Sequence, residues 1–211
     1  RISPKRSDAG SRPLESGGLL RVSAGGAMEY FSGFFTGILK LFGFYSKEAT
    51  VVLIGLDNAG KTTLQYKLRT GESYSFVPTQ KPQEQEITIG NVKLQTWDLG
   101  GHKAVRKLWK QYYRTADGIV FVVDAADKSR LPEAKKVLNF ILKEDALVET
   151  PIAILGNKSD KKEAVPMQKL QEELGLPKLL DAYRKIKVFN TSVTEGYGYP
   201  TAFEWIAANL P

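Results

Sequence analysis

Cysteine is absent from this chain, and histidine occurs once, as His102. The first absence excludes a disulfide framework, thiol catalysis and a Cys-based zinc site; the second excludes a His-rich metal centre. Cytosolic residence is the simple expectation. No internal repeat is visible. No nucleic-acid-binding motif accompanies the net charge of +7, so that charge does not point to a nucleic-acid partner. What the chain does have is 42% apolar residues over a length of 211, enough for one domain with a sizeable core plus appendages.

The positive charge is unevenly spread. Residues 1–27 set Arg1, Lys5, Arg6, Arg12 and Arg21 against Asp8 and Glu15. They are rich in Gly and Ser and show no apolar periodicity, so they read as a disordered or artefactual leader with the natural start at Met28. A mitochondrial transit peptide is the competing reading of that composition. Farther on, Lys103, Arg106, Lys107, Lys110 and Arg114 recur at helical spacing, which fits a solvated helix face or a surface for an acidic partner.

The most informative stretch is Gly55-Leu56-Asp57-Asn58-Ala59-Gly60-Lys61-Thr62, which fits G-x-x-x-x-G-K-[ST] in full. The apolar run Thr50–Ile54 precedes it and the helix-compatible run Thr63–Arg69 follows, which is the strand–loop–helix context the motif needs. Its glycines let backbone N–H groups wrap an anion, and the following helix adds the positive end of its dipole. Asp57, Asn58, Ala59, Gly60, Lys61, Thr62 and Thr63 are therefore candidates for phosphate binding. Lys61 is the candidate to neutralise the β- and γ-phosphates of a nucleoside triphosphate, and the Thr62 hydroxyl to meet Mg²⁺.

A second motif speaks to the base. The apolar run Pro151–Gly156 leads into Asn157-Lys158-Ser159-Asp160. A carboxylate at Asp160 can accept hydrogen bonds from the ring N–H and the exocyclic amino group of guanine. Adenine offers an acceptor instead and would leave that carboxylate desolvated and unpaired. The Lys158 stem can lie over the base plane, and Asn157 can tie this loop to the phosphate loop.

The third piece, Trp97-Asp98-Leu99-Gly100-Gly101-His102, ends the alternating run Val92–Thr96. Asp98 can hold Mg²⁺ through a water, and the N–H of Gly101 can reach a γ-phosphate. Gly100 and Gly101 make the segment movable, as a phosphate sensor must be. His102, directly after them, can orient an attacking water.

From Thr50 onward the pattern alternates between strand and helix. Strands are expected near 50–56, 84–90, 92–98, 118–124, 151–156 and 186–191, and helices near 61–70, 103–115, 131–144, 166–174 and 199–209. Gly90-Asn91 between two alternating runs reads as a hairpin. Continuously apolar runs such as Gly118–Val123 read as parallel strands covered on both faces. The expected fold class is α/β: a mostly parallel six-stranded sheet with one antiparallel hairpin edge, helices on both faces, and phosphate loops at the carboxyl ends of strands.

Ahead of this domain, Phe31, Phe34, Phe35, Ile38, Leu39, Phe42 and Tyr45 repeat at three- and four-residue steps. That gathers them on one face of a helix over 28–45, with Glu29, Ser32, Gly33, Thr36, Gly37, Lys40 and Gly43 on the other. A transmembrane helix would be longer and apolar all round. Glu29 after Met28 lacks the glycine that myristoylation requires. An interfacial membrane helix is the functional reading, and a helix packed permanently on the domain is the alternative.

Through the segments GLDNAGKTT, VPTQKP, WDLGGH, VFVVDAAD, ILGNKSD and GYGYPTAFEW, the chain from Met28 to Leu210 resembles Sar-type small GTPases, the coat-protein-II relatives of the Arf GTPases. His102 where most small GTPases have glutamine, the Phe-rich start and the GYG near the end favour Sar over Arf. The resemblance implies a P-loop GTPase domain over 47–211 behind a membrane-binding helix at 28–46. It adds Thr79 as a second Mg²⁺ ligand in the first switch, and Thr191-Ser192-Val193 as a guanine-contacting loop. Ser192 and Val193 join the nucleotide-binding candidates; Thr62, Thr79 and Asp98 form the metal set; Lys61 and His102 are the catalytic candidates.

The same resemblance implies GTP-dependent insertion into the cytosolic face of the endoplasmic reticulum, cycling with cytosol and departure in Golgi-directed vesicles. The implied partners are a guanine-nucleotide exchange factor and a coat-protein-II inner coat with a GTPase-activating subunit. Turnover would be slow without that activator, because no in-cis arginine finger is evident in the motifs. Readings from other classes are a P-loop kinase or ATPase, which Asn157 to Asp160 oppose, and a non-catalytic membrane scaffold, which the intact catalytic set opposes. An Arf-like GTPase at another membrane is the nearest rival.

Overall fold

The computed structural model describes residues 49–70, 84–89, 92–97, 116–176 and 185–210. In chain order these form β1 (Ala49–Gly55), α1 (Lys61–Thr70), β2 (Glu84–Ile89), β3 (Val92–Trp97), β4 (Gly118–Asp124), α2 (Leu131–Leu142), β5 (Ile152–Asn157), α3 (Met167–Leu174), β6 (Ile186–Asn190) and α4 (Tyr199–Asn209). The expected helices at 28–45 and 103–115, the leader, and the site candidates Thr79, Asp98, Gly101 and His102 lie outside the described residues.

The six strands form one sheet in the order β2-β3-β1-β4-β5-β6. All neighbours run parallel except β2 and β3, which pair antiparallel with Ile89 opposite Val92. β2 and β3 thus form the antiparallel edge of the sheet, and Gly90 and Asn91 between them lie outside the described residues. Alternation along β1 divides the core. Val52 and Ile54 face a layer built from Leu131, Val137, Leu138 and Ile141 of α2 with Leu170 and Leu174 of α3. Val51 and Leu53 face Leu64 and Leu68 of α1 with Phe203 and Ile206 of α4. β4 and β5 alternate in the same way, placing Phe121 and Ile154 on the first side and Val122 and Leu155 on the second. Each fully buried side chain of this size contributes about 1.5–3 kcal/mol of hydrophobic stabilisation.

Element ends differ from the sequence expectation by one or two residues, each for a local reason. Pro151 has no N–H for the ladder, so β5 begins at Ile152 and runs through Asn157. Pro166 takes extended angles and precedes α3 rather than opening it. Glu144 is extended (φ −79°, ψ 118°), so α2 stops at Leu142 and a 3-10 turn, Asp145–Leu147, follows.

The pairing register aligns the carboxyl ends of the central strands. Gly55 lies opposite Val122, Asp124 opposite Asn157, and Gly156 opposite Asn190. Every described candidate residue follows one of these ends.

Candidate functional site

The loop between β1 and α1 is shaped by close approach. Gly55 sits so near β4 that a Cβ there would lie 2.1 Å from the Val122 carbonyl oxygen. Gly60 has φ +104°, and a Cβ on it would lie 2.3 Å from Nδ2 of Asn157. Backbone therefore packs against β4 and Asn157 where any side chain would collide. Asn58, at φ 61°, supplies the left-handed turn that only a few residue types adopt readily.

Lys61 opens α1 yet is only 3% exposed. Its ammonium curls back over the loop and donates to the carbonyls of Gly55 at 2.8 Å and Leu56 at 2.7 Å. A cation is thus fixed inside the loop. No acidic residue occupies the first turn of α1, so the helix dipole and Lys61 act together on an anion there. Thr62 and Thr63 follow in that turn, both partly exposed.

Asn157 joins three loops. Its Nδ2 donates to the carbonyl of Ala59 at 2.8 Å, and its Oδ1 accepts from the Val193 N–H at 3.1 Å. With 2% exposure, both ends of the amide are satisfied inside the protein. The phosphate loop, the Asn157–Asp160 segment and the Thr191–Val193 segment therefore share one buried side chain. Lys158 takes φ 62° and turns its ammonium onto the Asp124 carboxylate at 2.6 Å, across the ends of β4 and β5. The other Asp124 oxygen accepts from the Ala126 N–H at 3.0 Å. Asp160 is exposed at the rim. Ser192 is fully buried, with its hydroxyl accepting from the Glu195 N–H at 3.1 Å.

Among the described residues, two ion pairs at the site that join distant parts of the chain were not anticipated from sequence. One is Lys158–Asp124; the other joins Arg130, at the start of α2, to Asp57 in the phosphate loop. A sequence signal for the second did exist. A carboxylate inside a phosphate loop opposes its purpose unless a cation answers it. Only the fold shows which cation does.

The described residues fit a bound nucleotide: a glycine-bearing loop packed closely on β4 and Asn157, a buried ammonium, a helix N-terminus and an exposed carboxylate gather at the carboxyl ends of the strands. Of the metal candidates, only Thr62 belongs to the described residues. Its hydroxyl at the loop's end is the oxygen donor type that Mg²⁺ takes.

Comparison with known proteins agrees with this geometry. The signature of the ADP-ribosylation factor family matches residues 35–210. The chain is 40% identical over 189 residues to a protein of Giardia intestinalis described as a small COPII coat GTPase SAR1, covering 85% of this chain and 99% of that one. It is also 36% identical over 186 residues to ADP-ribosylation factor-like protein 1 of Drosophila melanogaster, and 37% identical over 186 residues to the Caenorhabditis elegans protein of the same description. Each of those two alignments covers 88% of this chain and 97% of the relative.

Proposed function

Because this chain belongs to the ADP-ribosylation factor family and is a small GTPase, we propose that it works as a Sar-type switch that starts coat-protein-II assembly on endoplasmic-reticulum membrane. The observation that carries the nucleotide half of this reading is the Asn157 bridge, which fastens the phosphate loop to both segments proposed to read guanine. The coat half is supported by similarity to a COPII coat GTPase along nearly the whole of that protein, by the Phe-rich face over 28–45, and by His102 after Gly100-Gly101.

In this reading Asp57 to Thr63 cradle the phosphates, and Asp160 reads the guanine edge while Lys158 lies beneath the base. Ser192 and Val193 supply contacts from the loop after β6. Water attacks the γ-phosphorus in line while its bond to the β–γ bridging oxygen breaks, so GTP is released as GDP and phosphate. Lys61 and the loop N–H groups stabilise the charge that develops, and His102 orients the water. Mg²⁺, when bound, screens the β- and γ-phosphate oxygens, with Thr62, Thr79 and Asp98 as its proposed holders. An exchange factor loads GTP. A GTPase-activating subunit of the coat completes an otherwise slow site.

The helix at 28–45 is proposed to dock on the domain with GDP and in the membrane with GTP. The two apolar sinks are chemically alike, so a bias of a few kcal/mol decides between them. Flotation of the full chain on liposomes tests this. Strong binding with a non-hydrolysable GTP analogue and little with GDP supports the switch, whereas equal flotation in both states rejects it. An Arf-like GTPase at another membrane is the second reading, favoured by the 36% and 37% identities to Arf-like proteins. The organelle at which the full chain accumulates in cells separates the two.

A further inference from the structure

Arg130 lies 73 residues from Asp57 in sequence and grips it at two points. Its Nη1 donates to the Asp57 main-chain carbonyl at 3.1 Å, and its Nη2 donates to the Asp57 carboxylate at 2.5 Å. Its Nε is occupied by Glu133 at 3.3 Å, which aims the planar guanidinium from the first turn of α2. The fork therefore fixes both the backbone and the side chain of a single phosphate-loop residue.

That residue is the one that calls for restraint. Asp57 stands between the two loop glycines, on the path the backbone takes around its concavity. Hydrogen bonding to Arg130, foremost, with the charges of Arg130 and Lys61, holds its carboxyl below the usual carboxylate range. It is thus an anion at neutral pH, within electrostatic reach of the ammonium meant for phosphate. A carboxylate left to rotate there would compete for Lys61 and repel the outermost phosphate. The repulsion would fall most heavily on a triphosphate, whose terminal group carries extra charge deepest into the loop.

We infer that Arg130 is a positioning residue for nucleotide selectivity: by holding the Asp57 carboxylate aside, it lowers the penalty that this carboxylate sets on a nucleoside triphosphate relative to a diphosphate. This rests on the nucleotide reading of the same loop. Arg130 touches the loop rather than the reacting atoms, and each of its three nitrogens is engaged by Asp57 or Glu133. Because Arg130 acts through Asp57, its effect belongs to the ratio of two affinities, not to the chemical step.

The test is equilibrium binding of fluorescent GDP and of a non-hydrolysable fluorescent GTP analogue to the full chain with Mg²⁺. Four proteins are compared: the parent, Arg130→Gln, Asp57→Asn and the double variant. Arg130→Gln is expected to raise the triphosphate-to-diphosphate Kd ratio about tenfold, the low end for one like charge at close range in a solvent-open site. Adding Asp57→Asn should return the ratio to the parent value, because it removes the charge that Arg130 restrained. Arg130→Lys, which keeps a cation but loses the fork, should fall between, and it decides the matter if Arg130→Gln does not fold. A parent that binds neither nucleotide overturns the nucleotide reading and this inference with it. A parent that binds both, with an unchanged ratio in the Arg130 variants or no rescue by Asp57→Asn, overturns this inference alone. Slower hydrolysis at an unchanged ratio counts equally against it.

Discussion

The Ser159 and Tyr197 hydroxyls lie 2.8 Å apart, and Ser159 Oγ also donates to the Thr191 carbonyl at 2.8 Å. Ser159 stands between Lys158 and Asp160, so this contact pins the proposed base-reading segment to the loop before α4. That loop is itself folded tightly: Ser192 and Tyr197 exchange backbone hydrogen bonds at 3.1 Å, and Gly198, at φ +82°, sits where a Cβ would lie 2.1 Å from the Asn190 carbonyl oxygen. The Gly196-Tyr197-Gly198 turn thus braces the proposed guanine side of the site. Tyr197→Phe removes one exposed hydrogen bond and is expected to speed release of GDP and GTP alike by about 3- to 10-fold, the scale of a net contribution near 1 kcal/mol. Stopped-flow release of fluorescent nucleotides checks it. A change confined to one nucleotide, or none, rejects the brace.

Asn157 should be the costliest polar position in the site. Asn157→Ala strands the Ala59 carbonyl and the Val193 N–H in a buried setting. Each orphan costs about 1–3 kcal/mol, so urea unfolding should show a loss of roughly 2–6 kcal/mol. Because the three loops would then be joined only through main chain, nucleotide release should accelerate as well. Lost stability with unchanged release would show that the bridge serves folding alone.

Legibility from sequence followed locality. The continuous apolar run of β4 read directly as a doubly covered parallel strand, and alternation on either side of Gly90-Asn91 read as an antiparallel pair. The phosphate loop and the Asn157–Asp160 segment were visible because their chemistry is written in consecutive residues. The pairs Arg130–Asp57 and Lys158–Asp124 were not, since a charge carries no periodicity that names a partner far along the chain. Tyr197 is a similar case: GYG marks a turn, but nothing local says that its hydroxyl reaches Ser159. Helix ends were misplaced where one extended residue, such as Glu144, broke an otherwise helical composition.

The Arg130–Asp57 pair also sets a pH dependence. Its carboxyl is held below the ordinary value of 3.8, first by the Arg130 hydrogen bond. A depressed folded-state value means the unfolded chain takes up the proton first on acidification. The pair's stabilisation is therefore complete above the unfolded value and disappears as pH falls through the lower folded one. The side chains are 30% and 38% exposed, so solvent screening limits the contribution to about 1 kcal/mol or less. The unfolding free-energy gap between parent and Asp57→Asn should stay constant from neutral pH to about pH 5, then narrow below about pH 4. Urea titrations across that range check the sign; a gap that widens on acidification contradicts it.

Base selectivity should rest on Asp160, exposed at the rim beyond the buried Asn157 anchor. As a carboxylate it presents only acceptors, and guanine's Watson–Crick edge offers two N–H donors to meet them. Asp160→Asn turns one acceptor into a donor facing a donor. It also removes a charge-assisted pair, so GTP binding should weaken by at least about 3 kcal/mol. Xanthine carries an oxygen where guanine has its amino group, and the new amide N–H can donate to that oxygen. The variant should therefore gain xanthosine triphosphate binding as it loses GTP. The phosphate-side residues are untouched, so folding and the Lys61 cradle should persist. Calorimetry with GTP, ATP and xanthosine triphosphate on parent and variant distinguishes the outcomes. Unchanged GTP affinity in the variant would remove Asp160 from the site, and a parent that prefers ATP would overturn the guanine reading altogether.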